Sequence, residues 1–268
     1  MAQTSRDALH EVVLRELTDG VLTVTINRPD RKNAANDVVW AGLRDAFQDA
    51  KDDPAVRAVI LTGAGGAFCS GADLEQGAGA GHPLTQMNWV NQTAVALHEL
   101  PKPIVAKVRG VAVGAGWNLA LGCDLVVAAK DARFSQIFTK RGLSIDFGGS
   151  WLLPRMVGMQ QAKRLTFLAE MVSAEEAAAL NLVTYVVEPD ELDGFTTDLG
   201  RRLAQAPPIA IAESKALLHG GVNSTLREAL DHEARSQTIQ FASADGPAAL
   251  AAFLEKREPV FTGEWIAR

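Results

Sequence analysis

Two glycine-rich segments, each placed straight after a strand-like run, constrain this chain more than any other feature. The first is Gly63-Ala64-Gly65-Gly66-Ala67-Phe68-Cys69-Ser70-Gly71-Ala72-Asp73-Leu74. The second is Gly110-Val111-Ala112-Val113-Gly114-Ala115-Gly116-Trp117-Asn118, which opens a helix expected over 114–121. Glycine lets the main chain turn sharply and lets a ligand come close to it. Free N–H groups at a helix start carry partial positive charge, ready for an anion. Neither segment is a nucleotide loop: the first lacks the Gly-Lys-Ser/Thr ending of a P-loop, and the second lacks Gly-x-Gly-x-x-Gly spacing. Taken singly, each reads equally well as a tight strand-to-helix connection; their joint occurrence in this order points to a ligand.

Periodicity around these segments predicts the scaffold. Residues 11–17 and 21–27 read as a hairpin about the turn pair Asp19-Gly20. A helix is expected over 36–51, with Val39, Leu43, Ala46 and Phe47 on one face. Strands follow at 56–62, 104–108 and 125–129, and a helix over 84–100 stops at Pro101-Lys102-Pro103. Past Trp151 the pattern turns helical, at 160–170, 173–180, 191–206, 209–219, 226–242 and 248–257, with one strand at 182–187. Ser173-Ala174-Glu175-Glu176 forms a capping box. The expectation is an α/β core over 1–200 and a helical C-terminal region over 201–268, of the kind that docks on a neighbouring subunit.

The formal net charge of −6 gives no global attraction for nucleic acid or an anionic membrane, so an anionic ligand must be met by a local basic cluster. Cys69 and Cys123 are far apart with no Cys/His ligand spacing near either, so neither a disulfide framework nor a metal site is expected. Residues 1–10 are polar and without an apolar h-region, and no apolar run approaches the ~20 residues that span a bilayer. A cytoplasmic protein without a signal peptide is the expectation.

Ser70-Gly71-Ala72-Asp73-Leu74, then Pro103-Ile104-Val105-Ala106 leading into Gly110 and Gly114-Ala115-Gly116, resembles the enoyl-CoA hydratase/isomerase (crotonase) family. Gly148-Gly149-Ser150-Trp151-Leu152-Leu153-Pro154-Arg155-Met156-Val157-Gly158 fits the same pattern. So does the ending Phe253-Leu254-Glu255-Lys256-Arg257-Glu258-Pro259-Val260-Phe261, and the likeness runs from about residue 11 onward. The resemblance implies a crotonase (ClpP-like) spiral of ββα repeats with a helical C-terminal trimerisation region, as a homotrimer or a dimer of trimers. It implies an acyl-CoA thioester as substrate, with no further cofactor. It also implies an oxyanion hole made by the N–H groups of Ala72 and Ala115, where two preset donors stabilise an enolate oxygen. For CoA it implies the neighbourhoods of Arg28, Lys32 and Ala34, of Ser70, Ala72, Asp73 and Leu74, and, reaching an adjoining subunit, of Phe253 and Lys256. The plainer alternative for any one of the cations is a solvated surface.

The chain departs from the typical hydratase of the family, which holds water between two glutamates. Asn118 and Phe138 occupy those positions. Neither side chain exchanges a proton at neutral pH. A carboxylate stands instead at Asp146, where it resembles the catalytic aspartate of the phenylacetate-pathway enoyl-CoA isomerases and of 4-chlorobenzoyl-CoA dehalogenase. Beside apolar Phe138, Phe147 and Trp151 its pKa is expected to rise, which suits a base; the other reading is that Asp146 N-caps a helix beginning near Gly148. With one carboxylate the economical reaction is a 1,3-proton shift in an enoyl-CoA. Hydration by Asp146, with Asn118 orienting water, and a non-catalytic acyl-CoA-binding protein are the alternatives. Dehalogenation ranks low, since Phe138 is not Trp and His98 is out of register. Asp73 is expected to cap a helix and Asp124 to sit in a turn; Trp40 and Trp117 are expected in the core or pocket wall. No partner is foreseen for His10, His82, His219 or His232, and the Gly/Ala-rich stretch 76–86 is expected to wall the acyl pocket.

Overall fold

The structure, a computed structural model of the chain, describes residues 6–75 and 82–266, and side chains from residue 9 onward. Residues 76–81, half of the stretch expected to wall the pocket, lie outside the described residues.

After α1 (Arg6–Val12), strands β1 (Val13–Thr18) and β2 (Val21–Ile26) form the expected hairpin, antiparallel, with Val13 opposite Ile26 and Thr18 opposite Val21. Leu22, Val24 and Ile26 alternate inward along β2, and burying each such side chain is worth about 1.5–3 kcal/mol. Helix α2 (Asp37–Asp52) is capped by Asn36, whose side chain accepts from Val39 N–H, and it buries Val39, Leu43, Ala46 and Phe47 as one stripe. β3 (Ala58–Gly63), α3 (Pro83–His98), β4 (Ile104–Val108), β5 (Val111–Val113), α4 (Ala115–Leu121), β6 (Leu125–Ala129) and β7 (Arg133–Ser135) follow. Then come α5 (Gly149–Leu168), β8 (Val172–Ser173), α6 (Ala174–Ala179), β9 (Tyr185–Val187), α7 (Leu192–Gln205), α8 (Pro208–Gly221), α9 (Leu226–Phe241) and α10 (Asp245–Glu255).

The larger sheet runs β1-β2-β3-β4-β6-β9, parallel after the hairpin; a smaller one runs β5-β7-β8. Single bridges pair Ala35 with Ala72 and Cys69 with Ala112, and so prolong the smaller sheet through the first glycine-rich segment. Each turn of chain therefore lays one strand in the large sheet, one short stretch in the small sheet and then a helix. β4, β5 and α4 show the unit in full. This is the strand–strand–helix spiral expected from the resemblance.

Strands β3, β4 and β6 are buried on both faces. Val59, Leu61, Ile104 and Ala106 face the main core, while Ile60, Val105 and Val127 face Leu192 and Leu199 of α7. The boundary expected at residue 200 thus falls inside a helix packed on the sheet: a Cβ at Gly200 would stand 2.9 Å from Ile60 Cδ1.

Three strands of the smaller sheet were not foreseen, because two or three residues are too few to show a period. The helix expected at 160–170 begins at Gly149 and breaks at Gly158 (φ 73°, ψ 162°), beyond Pro154.

Candidate functional site

The two glycine-rich segments meet through the small sheet. Val113 N–H donates to Cys69 O at 3.0 Å, and Cys69 N–H donates to Val111 O at 3.1 Å. On the other side, Ala35 N–H donates to Gly71 O and Asp73 N–H to Ala35 O, at 2.8 and 2.9 Å. These bonds use the groups on either side of Ala72 and turn its own N–H away from Ala35. Ala115 is the first residue of α4, where helical geometry supplies no acceptor. Among the described residues neither the Ala72 nor the Ala115 N–H meets a main-chain acceptor.

Gly71 adopts φ 96°, and a Cβ there would lie 2.8 Å from Val113 O and 3.9 Å from Ala115 N. Only glycine fits that approach, and it brings the Ala72 segment onto the start of α4. Gly114 caps that helix at φ 56°, ψ −127°, a conformation closed to ordinary residues.

The first segment is tied down from behind. Asn33, fully buried, donates through Nδ2 to Ala64 O and Ala67 O and accepts from Arg28 N–H. The Arg28 guanidinium donates to Ala34 O and, at 2.8 Å, to Asp73 Oδ2, in an ion pair whose side chains are only 14% and 5% exposed. Burial pulls the Asp73 pKa upward, but the Arg28 hydrogen bond and charge outweigh it and leave the carboxyl below its ordinary range. Asp73 Oδ1 accepts from Glu75 N–H in a turn, and the residues beyond Glu75, where the helix it was expected to cap would run, lie outside the described residues. Arg28 and Asp73, read from the sequence as CoA neighbours, hold each other. Ser70 is bound to the same loop, donating to Lys32 O and Arg31 O, while Arg31 pairs with Glu75. Lys32 and Leu74 are exposed, and the Lys32 ammonium has no ion-pair partner among the described residues.

On the far side of α4 lies Asp146. Its Oδ1 is buried with no hydrogen-bond partner among the described residues, and burial pushes its pKa up to about 6. The helix-capping alternative fails, since the cap of α5 is Gly148 and Asp146 contributes only its carbonyl, to Gly149 N–H. Phe147 stands in the left-handed region at φ 46°, unusual for a bulky residue. Its ring is buried 5.0 Å from Trp40, which holds the turn in place. Asn118, fully buried, donates through Nδ2 to Asp146 O at 2.8 Å and accepts at Oδ1 from Gln136 Nε2 at 2.8 Å. Asn118 therefore ties the loop of Asp146 to α4 and to the chain after β7. Gln136 was missed from the sequence because an uncharged residue in a short connection carries no signal. Phe138 is buried, with its ring edge against Gly114.

A cavity of about 370 Å³ opens between α3, α4 and α5, with Leu97, His98, Asn118, Phe147, Gly148 and Trp151 in its wall. It adjoins the site through Asn118, one helical turn beyond Ala115, and through Phe147, next to Asp146. Two expectations about other residues change. His82 caps α3 by accepting from Leu84 N–H, and His219 stacks on His98 with ring centroids 4.2 Å apart. Asp124 does sit before a strand, but it also takes Ile104 N–H and the Lys215 ammonium. Trp40 and Trp117 are core residues. Phe253 and Lys256 lie exposed at the end of α10, and no hydrogen bond joins their side chains to the residues above.

Among the described residues no helix is long and apolar enough to cross a membrane, and no cluster of metal-binding side chains occurs. The Enoyl-CoA hydratase/isomerase family profile matches residues 16–264. The chain is 38% identical over 260 residues to 1,2-epoxyphenylacetyl-CoA isomerase of Escherichia coli (strain K12), covering 95% of this chain and 99% of that protein. It is 35% identical to short-chain-enoyl-CoA hydratase of Clostridium acetobutylicum, covering 93% and 97%. Among solved structures, an enoyl-CoA hydratase from Bacillus anthracis superposes with a TM-score of 0.90 at 30% identity, covering 94% of this chain and all of that one.

Proposed function

The chain belongs to the enoyl-CoA hydratase/isomerase family, and we propose that within it the protein shifts the double bond of an enoyl-CoA with one carboxylate base, Asp146. In this reading the thioester oxygen lies between the Ala72 and Ala115 N–H groups. Asp146 takes a proton from C2 of a 3-enoyl-CoA, leaving a dienolate whose negative oxygen those donors stabilise. The same carboxylic acid returns its proton to C4, and the double bond moves to C2–C3. No water or second acid is consumed.

The observation that carries the reading is the Asp146 carboxyl, partly buried, unpartnered at Oδ1, and raised to a pKa of about 6. A base of that pKa is largely ionised at neutral pH yet holds a proton well enough to return it. The hydratase alternative loses support at Asn118. Its Oδ1 and one Nδ2 hydrogen are engaged by Gln136 and by the Asp146 carbonyl, so the side chain is committed to holding the loop.

For CoA, Lys32 is the cation of the first loop left without an ion pair among the described residues, and we assign it to a phosphate, with Ala34, Ser70 and Leu74 beside it. Arg28 and Asp73 would shape that surface rather than grip the ligand. We read the helical C-terminal region, after Gln205, as the trimer-forming part. Leu218, Leu226, Phe241 and Leu254, all more than 70% exposed on α8, α9 and α10, support this, since apolar groups massed in one region mark an interaction surface. Phe253 and Lys256 would then reach a neighbour's CoA.

The test is incubation in deuterated water with a 3-enoyl-CoA and, separately, a 2-enoyl-CoA, with products followed by mass. Formation of the 2-enoyl product by the wild type, absent in Asp146→Asn, is the expected result. A 3-hydroxyacyl product would make the enzyme a hydratase. Binding without turnover of either would make it an acyl-CoA-binding protein.

A further inference from the structure

The cavity beside Asp146 has mostly apolar walls, contributed by Ala94, Leu97, Phe147, Trp151 and Leu152. Three polar side chains border it: Asn118, His98 and Glu99. Asn118 is engaged by Gln136 and Asp146, and Glu99 is exposed at the end of α3, where water solvates its charge. His98 differs from both. It is half-buried, and neither ring nitrogen has a hydrogen-bond partner among the described residues.

The imidazole is also held in orientation. Its face stacks on His219, centroids 4.2 Å apart and planes 8° apart, and it meets the Trp151 ring at 5.3 Å and 78°. Trp151 is in turn covered by the Arg155 guanidinium at 4.2 Å. Such aromatic contacts fix geometry without using the ring nitrogens. An oriented imidazole with both nitrogens open is a recognition element: a polar group placed in an apolar pocket sets what the pocket accepts.

We propose that His98 is the specificity-determining residue of this cavity, and that it selects acyl groups bearing a neutral oxygen, a hydroxyl above all, on the part of the chain beyond the reacting carbons. The proposal rests on the reading of the adjoining site as an acyl-CoA centre, and it narrows the acyl group. An uncharged imidazole offers one N–H and one lone pair, and a hydroxyl complements either. A wholly apolar chain would strip water from both nitrogens and replace it with nothing. An acyl group ending in a carboxylate would face Glu99 at the same cavity, like charge against like.

The experiment measures binding, so it does not depend on which reaction occurs. Saturated acyl-CoAs of one length, either unsubstituted, carrying a hydroxyl at successive positions, or ending in a carboxylate, are titrated calorimetrically into wild type, His98→Leu and His98→Gln. Thermal unfolding of each variant checks that it is folded. Wild type should bind the best hydroxyacyl-CoA about tenfold or more tighter than the unsubstituted one, the size expected of a hydrogen bond made in a desolvated pocket. His98→Leu should lose that preference and bind the unsubstituted chain at least as tightly as the wild type does, and His98→Gln, which retains a donor and an acceptor, should restore part of the preference. Equal affinities in the wild type, a preference that survives in His98→Leu, tightest binding of the carboxylate, or an equal loss for every ligand would each overturn the proposal. If the wild type binds no acyl-CoA at all, the acyl-CoA reading itself fails, and this proposal with it.

Discussion

Asn118 Nδ2 donates to the main-chain carbonyl of Asp146 at 2.8 Å, so the helix that starts at Ala115 also holds the loop that carries the carboxyl group. The distance between the N–H of Ala115 and the acid of Asp146 is set through one buried amide. Asn118→Ala should leave the Gln136 amide unpaired and the Asp146 carbonyl with Gly149 N–H alone, at about 1–3 kcal/mol of stability. It should lower kcat more than it raises KM. Asn118→Asp would put a second carboxylate on α4, facing the Asp146 carbonyl oxygen, and should be less stable than Asn118→Ala at neutral pH. Denaturant unfolding beside steady-state kinetics checks both.

Asp146→Asn should abolish turnover, a loss of about 10²–10⁴ in kcat for a general base, with no loss of fold. The sign of its effect on stability follows from the raised pKa, from 3.8 to about 6. The folded state holds this proton more tightly than the unfolded chain. The resulting stabilisation is complete below pH ~3.8 and is lost as pH rises through ~6. Above that pH the ionised, half-buried carboxylate weakens the fold by about 2–3 kcal/mol, so Asp146→Asn should be more stable than wild type at pH 8 and nearly equal to it at pH 4. Its acid limb should appear in the wild-type kcat/KM profile near pH 6.

Arg28→Ala should unfold more readily by about 1–3 kcal/mol, because it leaves the part-buried Asp73 carboxylate without its charged hydrogen-bond partner. Asp73 has a lowered folded pKa, so the pair contributes above the ordinary carboxylate pKa and is lost as pH falls through the lower folded value. The Arg28→Ala, Asp73→Ala double variant should recover part of the loss. A rise in the Kd for CoA without a change in stability would instead make Arg28 a ligand contact.

Gly71→Ala should be expressed with the same fold but lower stability, by about 1–3 kcal/mol for a strained φ and a forced contact. The added methyl must push Val113 O from the 2.8 Å it would otherwise occupy, which parts Ala72 from Ala115. Under the isomerase reading, kcat should fall by about two orders of magnitude or more, the scale of losing one oxyanion donor. Binding of a saturated acyl-CoA should change little.

Much of this was legible in the residues. The alternation Leu22, Val24, Ile26 and the stripe Val39, Leu43, Phe47 marked β2 and α2 because each element buries one face, and burial leaves a period. The glycine-rich segments and the lone carboxylate at Asp146 were visible because a left-handed turn and an acid among apolar neighbours both depart from the average sequence. The short strands β5, β7 and β8 left no such trace. They are held by main-chain bonds to segments far along the chain, Val113 to Cys69 for one, and no side-chain pattern records them.

The sequence by itself determined the family, the spiral of strands and helices, and that positions 118 and 138 carry no carboxylate. Those depend on local residue type and order, which a linear chain displays directly. Only the tertiary structure decided that Arg28 is spent on Asp73, that Asn118 holds the Asp146 loop, that Asp146 caps nothing, and that His98 stands open to the cavity with His219 behind it. The three contacts among these join residues 45, 28 and 121 positions apart. Whether a polar group is free or engaged depends on partners that the fold brings together and the sequence keeps apart.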